Sequence, residues 1–362
     1  MAPVDINLPS HQTAVIADAA GKLVVSNDYP LPDLAPDMLL VKTMAVALNP
    51  VDVKLTGYMA TEGAVAGGDC AGVVVAIGSE VARDRFTMGD RVCAAMPSMD
   101  PLAPRIGAFV EYAGVTADFA LKIPEHISFE QAATLGLGLA TIGYALFRSL
   151  GVPGSPDVPA QKPAHVLVYG GSTASGTIAI QLLRRSGLIP ITTCSPRNFS
   201  LVKSYGAETV FDYNDPNSAE EIRKHTKNAL DYALDCFCGG NSMQYCYKAI
   251  GRAGGRYTTL EPYPEGHATR KRVKPEYILG PALLGRRIGW KEPYTIEANP
   301  ELRIFGRNWF QCVQRLLDSG EIRPHPVKLH DRVGFDGILE GIELLRKKSV
   351  SGEKLVYRVG PS

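Results

Sequence analysis

The string Gly170-Gly171-Ser172-Thr173-Ala174-Ser175-Gly176 has the residue types that hold a pyrophosphate. Gly170 and Gly171 tighten a turn without a Cβ clash. Gly176 lets the following segment lie close to the preceding one. The amides of Ser172, Thr173, Ala174 and Ser175 then stand at a helix start, where unpaired N–H groups and the helix dipole attract an anion. Ser172 takes the place of the second glycine of G-x-G-x-x-G, so the string is a weaker nucleotide signal than the full motif. A glycine turn joining a core strand to a core helix would read the same. Cys194-Ser195-Pro196-Arg197-Asn198 sharpens it. An unphosphorylated dinucleotide is held by an acidic residue near this place, and none is present. Ser195 offers a hydroxyl donor, and Arg197 a fork that matches a phosphate. A charge-assisted bond contributes roughly 1.5–3 kcal/mol, about 10- to 100-fold in affinity. The pair predicts NADPH over NADH. The plain alternative is a surface arginine in a loop.

The elements that must position these groups alternate. His165 to Tyr169 is a short apolar strand. Behind the glycine turn, Ile178 with Leu182 and Ala179 with Leu183 give one apolar helix face. Ile189 to Cys194 is the next strand, with Pro190 tolerable at its start. Thr209–Asp212, Asp231–Cys236 and Arg256–Leu260 follow, with helical stretches between them. This is the pattern of a doubly wound parallel α/β sheet. Residues 10–125 read instead as short strands, including Leu39–Leu48 and Val73–Ile77, with turn-plus-strand units at Met88–Val92 and Gly107–Tyr112. They suggest a small barrel-like domain. Ser128-Phe129-Glu130-Gln131 is a capping box, expected to open a helix running into Leu135–Phe147. Residues 151–163, with four prolines and two glycines, are an exposed loop. Residues 261–305 read as irregular, 306–319 and 335–348 as helices, and 354–358 as a strand expected to return to the first domain. The expected division is 1–130, 131–300 and 301–362.

Lysine and arginine number 38 against 37 acids in 362 residues, which gives no case for nucleic acid or membrane as a partner. The seven cysteines form no C-x-x-C pair, which fits a reducing compartment and argues against structural zinc. No histidine stands at metal spacing from a cysteine or carboxylate in the sequence, and the seven histidines receive no role. Met1 to Gln12 lacks the basic and apolar parts of a secretory leader. Gly-Pro-Ser at the end carries no address signal, so a cytoplasmic protein is expected.

Asn49-Pro50-Val51-Asp52, Gly67-Gly68-Asp69-Cys70-Ala71-Gly72, Gly89-Asp90-Arg91-Val92 and Gly352-Glu353-Lys354-Leu355-Val356 resemble the medium-chain dehydrogenase/reductase superfamily. The resemblance spans nearly the whole chain. It implies a Rossmann doubly wound parallel sheet plus a GroES-like β-rich catalytic domain. Zinc members carry a cysteine and a Gly-His-Glu string where this chain has Val51-Asp52 and Gly67-Gly68-Asp69, so no metal is expected. Val168-Tyr169-Gly170-Gly171-Ser172-Thr173-Ala174, Thr193-Cys194-Ser195-Pro196-Arg197-Asn198-Phe199 and Ala249-Ile250-Gly251-Arg252-Ala253-Gly254-Gly255 are similar to fungal trans-acting enoyl reductases. Those serve highly reducing polyketide synthases, or synthase–peptide synthetase hybrids, whose own reductase domain is inactive.

That resemblance implies a division of labour. NADPH would touch Val51, Asp52, Val53 and Lys54, then Ser172, Thr173, Ala174 and Ser175. It would also touch Ser195, Pro196, Arg197 and Asn198, together with Tyr213, Leu260, Glu261, Val350 and Ser351. The acyl chain would run along Ala140, Thr141, Ile142, Gly143, Tyr144, Ala145, Leu146 and Phe147. Gly280, Pro281, Ala282, Leu283 and Leu284 would face it, although an ordinary core loop fits that composition equally. The implied reaction sends hydride to the β-carbon of a conjugated thioester, so the protein must orient two reactants and offer donors to the thioester oxygen. Thr141 is a candidate donor, against a threonine bonding its own helix. Lys54 would bond the nicotinamide ribose or relay a proton, against a solvated lysine. Arg270-Lys271-Arg272-Val273-Lys274 is either a solvated face or a dock for an acidic carrier protein. Three readings follow: a trans-acting enoyl reductase on carrier-bound polyketides, a stand-alone quinone or enone reductase, and a non-enzymatic NADPH-binding protein. The charges and prolines of Arg286–Arg303 make edge pairing poor, so a monomer is expected.

Overall fold

In the computed structural model, residues 8–359 are described. Residues 1–7, the start of the stretch read above for a leader, and the final Gly360-Pro361-Ser362 lie outside them. The chain divides into two compact units.

The first unit takes in the chain up to Leu137, Leu284–Ser319 and everything from Pro326 onward. Its strands begin with the hairpin β1 (His11–Ala17) and β2 (Leu23–Pro30). A larger sheet is built on β3 (Met38–Ala47), an almost wholly buried ten-residue run. Antiparallel to it on one edge lies β4 (Asp69–Ile77), followed outward by β5 (Arg91–Ala95) and β7 (Ala120–Lys122). The other edge of β3 is shared: β6 (Tyr112–Thr116) pairs with Met38–Lys42. The C-terminal strand, Lys354–Arg358, pairs with Ala45–Ala47. The short helix α1 (Pro50–Lys54) follows β3, and α2 (Phe129–Ala132) opens at the predicted Ser128/Gln131 capping box.

The helix expected to continue through Leu135 is instead broken, and α3 (Gly136–Gly143) starts anew. The cause is a side chain. Asp69 Oδ1 takes the Leu137 amide at 2.6 Å, so that amide serves a carboxylate at a helix start, where negative charge is favoured. The chain then enters the second unit at Gly138, and a single π-turn over Tyr144–Ser149 ends the segment.

The second unit, Gly138–Leu283 with Gly320–His325, holds six parallel strands. They are β8 (His165–Tyr169), β9 (Ile189–Cys194), β10 (Thr209–Asp212), β11 (Tyr232–Asp235), β12 (Gly255–Thr259) and β13 (Val273–Tyr277). Their order is β10-β9-β8-β11-β12-β13, so the direction of winding reverses at β8/β11. Ligand crevices of such sheets form beyond the strands' C-terminal ends at that reversal. The crossovers carry α4 (Ala174–Arg185), α5 (Phe199–Ser204), α6 (Ser218–His225) and α7 (Ser242–Ala249). Ile178, Ala179, Leu182 and Leu183 of α4 are fully buried; each large one is worth about 1.5–3 kcal/mol. Gly320–His325 is held here by Gln181, which bonds the Arg323 backbone both ways, and by Thr177 Oγ1 at 3.0 Å from His325 Nδ1.

Two differences from the expected elements lie in 261–305. Val273–Tyr277 is a strand, not irregular chain. It is the sheet's edge, where Lys274, Pro275 and Glu276 are tolerated because one side of the backbone needs no partner. The next helix, α8 (Pro300–Asp318), begins six residues before the predicted 306 because Pro300 is its first residue, capped by Asn299 Oδ1 on the amides of Glu301 and Leu302. The first unit closes with β14 (Val327–Leu329), α9 (Asp336–Arg346) and β15 (Lys354–Arg358), β15 lying between β14 and β3. Among the described residues no helix is long and apolar enough to cross a membrane.

Candidate functional site

In the second unit, β8 ends at Tyr169 and the chain turns at Gly170 with φ +83°. A Cβ on Gly176 would stand 2.4 Å from Gly170 O, so only glycine lets the helix start sit against the strand end. Thr173 is the N-cap of α4: its Oγ1 accepts from Gly176 N at 2.9 Å and donates to Gly170 O at 2.8 Å. The amides of Ala174 and Ser175, at the first two helical positions, have no acceptor within the helix. Ser172, Thr173, Ala174 and Ser175 are all half-buried. The Thr173 hydroxyl is thus committed to the cap and shapes the cradle rather than facing a ligand.

At the end of β9, Ser195 Oγ lies 3.2 Å from Tyr213 Oη. The fold therefore joins two predicted cofactor residues that are far apart in sequence. Tyr213 is 41% exposed. Pro196 and Arg197 are exposed and Asn198 is buried. The nearest acid in register is Asp212, opposite Cys194. Its Oδ1 accepts from the Asn214 backbone and amide nitrogens. Burial, reinforced by Asp212, pushes the Cys194 thiol up to about 12.

Beyond β11 the loop is organised by Asp235, fully buried. Its carboxylate accepts from Ser242 Oγ, Tyr257 Oη, and the Phe237 and Cys238 amides. Cys238, with φ +57°, places its sulfur 2.9 Å from Thr259 Oγ1 and 3.1 Å from Leu260 N. Leu260 and Glu261, the predicted contacts after β12, are half-buried, and Leu260 is held by this loop. Sequence reading missed Asp235 and Cys238. The available signal was an acid ending an apolar strand just before Cys-Phe-Cys-Gly-Gly.

Of the predicted acyl-lining run, Ile142, Ala145 and Leu146 are fully buried and Ala140 and Gly143 nearly so. Thr141, Tyr144 and Phe147 are half-buried and recur every third residue, so they form the face that can meet a ligand. Burial, with Glu276 nearby, holds the Tyr144 hydroxyl above its ordinary pKa. The Thr141 hydroxyl makes no bond to its own helix among the described residues. A Cβ on Gly280 would come 2.6 Å from Thr141 Oγ1, so the structure does bring Thr141 and Gly280 together. Gly280 and Pro281 are half-buried, while Ala282 and Leu283 are buried. Leu284 is buried within the first unit.

In the first unit, Val51 and Val53 are half-buried and Lys54, the last residue of α1, is exposed. Asp52 points inward. It is 2% exposed; its Oδ2 accepts the Asn49 amide at 2.7 Å, and its buried Oδ1 has no partner among the described residues. Val350 is half-buried and Ser351 exposed beyond α9. Asp69, fully buried, accepts from Leu137 N at 2.6 Å, Asn49 Nδ2 at 2.8 Å and Lys354 Nζ at 2.6 Å.

Two family models match the chain: Alcohol dehydrogenase GroES-like domain over residues 35–125, and Zinc-binding dehydrogenase over residues 174–261. "Trans-enoyl reductase FSL5" of Gibberella zeae is 54% identical, covering 98% of both chains. A "Trans-enoyl reductase" of Gibberella fujikuroi is 52% identical over 96% of this chain and 98% of its own. The chain belongs to the trans-enoyl reductases of the medium-chain dehydrogenase/reductase superfamily. A solved alcohol dehydrogenase superfamily protein from Novosphingobium aromaticivorans shares the fold, with a TM-score of 0.76 at 22% identity over 96% of this chain and 99% of that one.

This trans-enoyl reductase is an oxidoreductase acting on a carbon–carbon bond, with a nicotinamide cofactor. Its first unit has the GroES-like arrangement and its second the Rossmann sheet. The residues at the positions read for zinc do not fit that metal. Gly67 and Gly68 offer no side-chain ligand. Asp69 already carries three donors, one of them the buried ammonium of Lys354. Burial pushes the neighbouring Cys70 thiol up to about 12, away from the thiolate a metal needs.

Burial, with Asp69 adding to it, raises the Asp52 carboxyl of this reductase to about 7, against the Asn49 amide and Lys354, which pull it down. The unfolded carboxyl titrates near 4, so the folded state holds an extra proton between about pH 4 and 7. Stability from this group is therefore present at low pH and lost as pH rises through that window, by on the order of a few kcal/mol. Asp52→Asn keeps an acceptor for Asn49 and removes the titration. The expected result is a flatter Tm against pH from about 4 to 7; an unchanged slope would assign the pH dependence elsewhere.

Proposed function

We propose that this trans-enoyl reductase uses NADPH to reduce the α,β-unsaturated thioester of a polyketide chain held on the carrier protein of a fungal synthase. The cofactor preference rests on Arg197 standing where an unphosphorylated dinucleotide needs a carboxylate. The cradle of Gly170, Thr173 and Gly176 receives the pyrophosphate on the Ala174 and Ser175 amides. Ser195 and Tyr213 hold the adenosine end, and Leu260 and Glu261 lie along the cofactor, as do Ser172 and Asn198. Val51, the Asp52 backbone, Val53, Lys54, Val350 and Ser351 complete its contacts.

When bound, NADPH supplies a hydride to the β-carbon, and the charge gathered on the thioester oxygen is discharged by protonation at the α-carbon. The Thr141 hydroxyl, unbonded among the described residues and kept accessible by the missing side chain at Gly280, donates to that oxygen. Lys54 bonds the nicotinamide ribose or relays the proton. Tyr144, Phe147, Gly280 and Pro281 line the acyl chain. The observation that carries the reading is the Thr141 hydroxyl, unbonded among the described residues, in a chain of this family whose zinc positions hold two glycines and an aspartate already engaged by Lys354.

Arg270 is not free to dock a carrier: it donates to Tyr247, Ile250 and Gly251 carbonyls at the end of α7. Exposed Lys271, Arg272 and Lys274 remain for that role. β13, with Lys274, Pro275 and Glu276, is an edge that resists pairing, and we carry the protein as a monomer. The test is NADPH consumption with a crotonyl pantetheine thioester beside a simple quinone. Turnover of the thioester alone is expected. Turnover of the quinone alone would favour the stand-alone reductase, and turnover of neither a binding protein.

A further inference from the structure

Histidines with no metal spacing in the sequence meet a carboxylate in the second unit. His165 begins β8, Glu208 precedes β10 and His225 ends α6. Their ligand atoms all lie within 4.8 Å of one another. His225 Nε2 is 3.2 Å from Glu208 Oε2, and the two imidazoles stand edge to face with centroids 5.5 Å apart. We propose that His165, Glu208 and His225 form a binding site for one zinc ion, separate from the reductase chemistry.

Two imidazoles and one carboxylate are a donor set that zinc takes with bonds of about 2.0–2.2 Å, leaving one position for water. Tetrahedral bonds of that length put neighbouring ligand atoms about 3.3–3.6 Å apart. The His225–Glu208 pair already has nearly this spacing, and a modest side-chain rotation brings the third donor in. The supports are fixed. The Glu208 amide donates to Pro190 O at 2.8 Å, and Thr209 Oγ1 donates to Glu208 Oε2 at 2.5 Å. The Phe211 ring packs edge-on to His225, with centroids 5.9 Å apart. His165 is fixed by the β8 backbone, opposite Ile189. His225 is the last residue of α6, where the helix dipole favours a cation. The side chains of His225 and Glu208 are 32% and 41% exposed, so an ion can enter. The cluster sits at the N-terminal ends of the strands. The glycine cradle follows the other end of β8, about 13 Å along that strand. A zinc ion here would tie β8, β10 and α6 together without touching the cradle.

The test uses the full-length chain stripped with EDTA and titrated with zinc chloride alone, by calorimetry and thermal melting. One ion per chain is expected. At zinc 100-fold above its Kd, the folded-to-unfolded ratio should rise about 100-fold. His225→Gln and Glu208→Gln should each abolish binding and the thermal shift. With metal-free Tm unchanged, since both side chains are substantially exposed, and NADPH oxidation unchanged, the loss would be of the site alone. Zinc binding that survives in His225→Gln, or absence of binding in the unaltered chain, overturns the proposal. Neither result depends on reductase activity, so failure here leaves the proposed function standing.

Discussion

Lys354→Met is expected to lower the stability of the first unit by about 3–5 kcal/mol, the cost of removing one partner from a buried ion pair. Lys354 is 5% exposed and Asp69 0%. The ammonium sits 2.6 Å from Asp69 Oδ2 and within reach of Thr134 O. Without it, Asp69 keeps Leu137 N and Asn49 Nδ2, which satisfy lone pairs but carry no charge. The loss is that of an uncompensated carboxylate. It exceeds the pair's net worth, because replacing both members of a buried ion pair together costs far less than stranding one. The double variant Asp69→Asn, Lys354→Met should therefore recover part of the loss. Urea midpoints of the single and double variants at pH 7.5 measure this. A single variant within about 1 kcal/mol of the unaltered protein, close to the scale of an ordinary surface change, would show that the pair does not hold this region.

The sequence already pointed to much of this arrangement, and the reasons differ by element. The strand, glycine turn and helix around Gly170 were legible because apolar period, glycine need and cap chemistry are all local. The parallel sheet was inferable because strands alternating with helices, joined by right-handed crossovers, leave few alternatives. What escaped depends on partners distant in the chain. Lys354 looked like an ordinary residue of a family string until β15 paired beside β3 and turned it inward. The break before α3 has its cause far back in the chain, at Asp69. Arg270 reads as either a solvated or a docking cation because three backbone carbonyls cannot be seen in a sequence. Val273–Tyr277 was missed because an edge strand tolerates charges and a proline that a central strand does not. His165, Glu208 and His225 show no spacing at all, since three separate elements carry them. Thr141 was legible only as a residue type; that its hydroxyl stands beside Gly280 required coordinates.

Arg197→Asp should raise the apparent constant for NADPH by about 10- to 100-fold, the equivalent of one lost charge-assisted bond, and change that for NADH by less than about 3-fold. The discrimination arises because the 2′-phosphate is the one group the two cofactors do not share. Arg197 is exposed, so part of its attraction is screened, and the effect should shrink as salt is raised from low to physiological ionic strength. Arg197→Gln, which keeps a donor but no charge, should fall between the two. The value of kcat with saturating NADPH should hardly move, because binding lost equally from ground and transition states appears in KM. Asp212 bears on the reverse experiment. Its Oδ1 already accepts twice from Asn214, and it stands on the neighbouring strand, opposite Cys194. Ser195→Glu in the Arg197→Asp background would place a carboxylate at the end of β9 and should improve NADH use. Equal losses for both cofactors in Arg197→Asp would mean that the loop after β9 supports the cradle's shape and reads no phosphate.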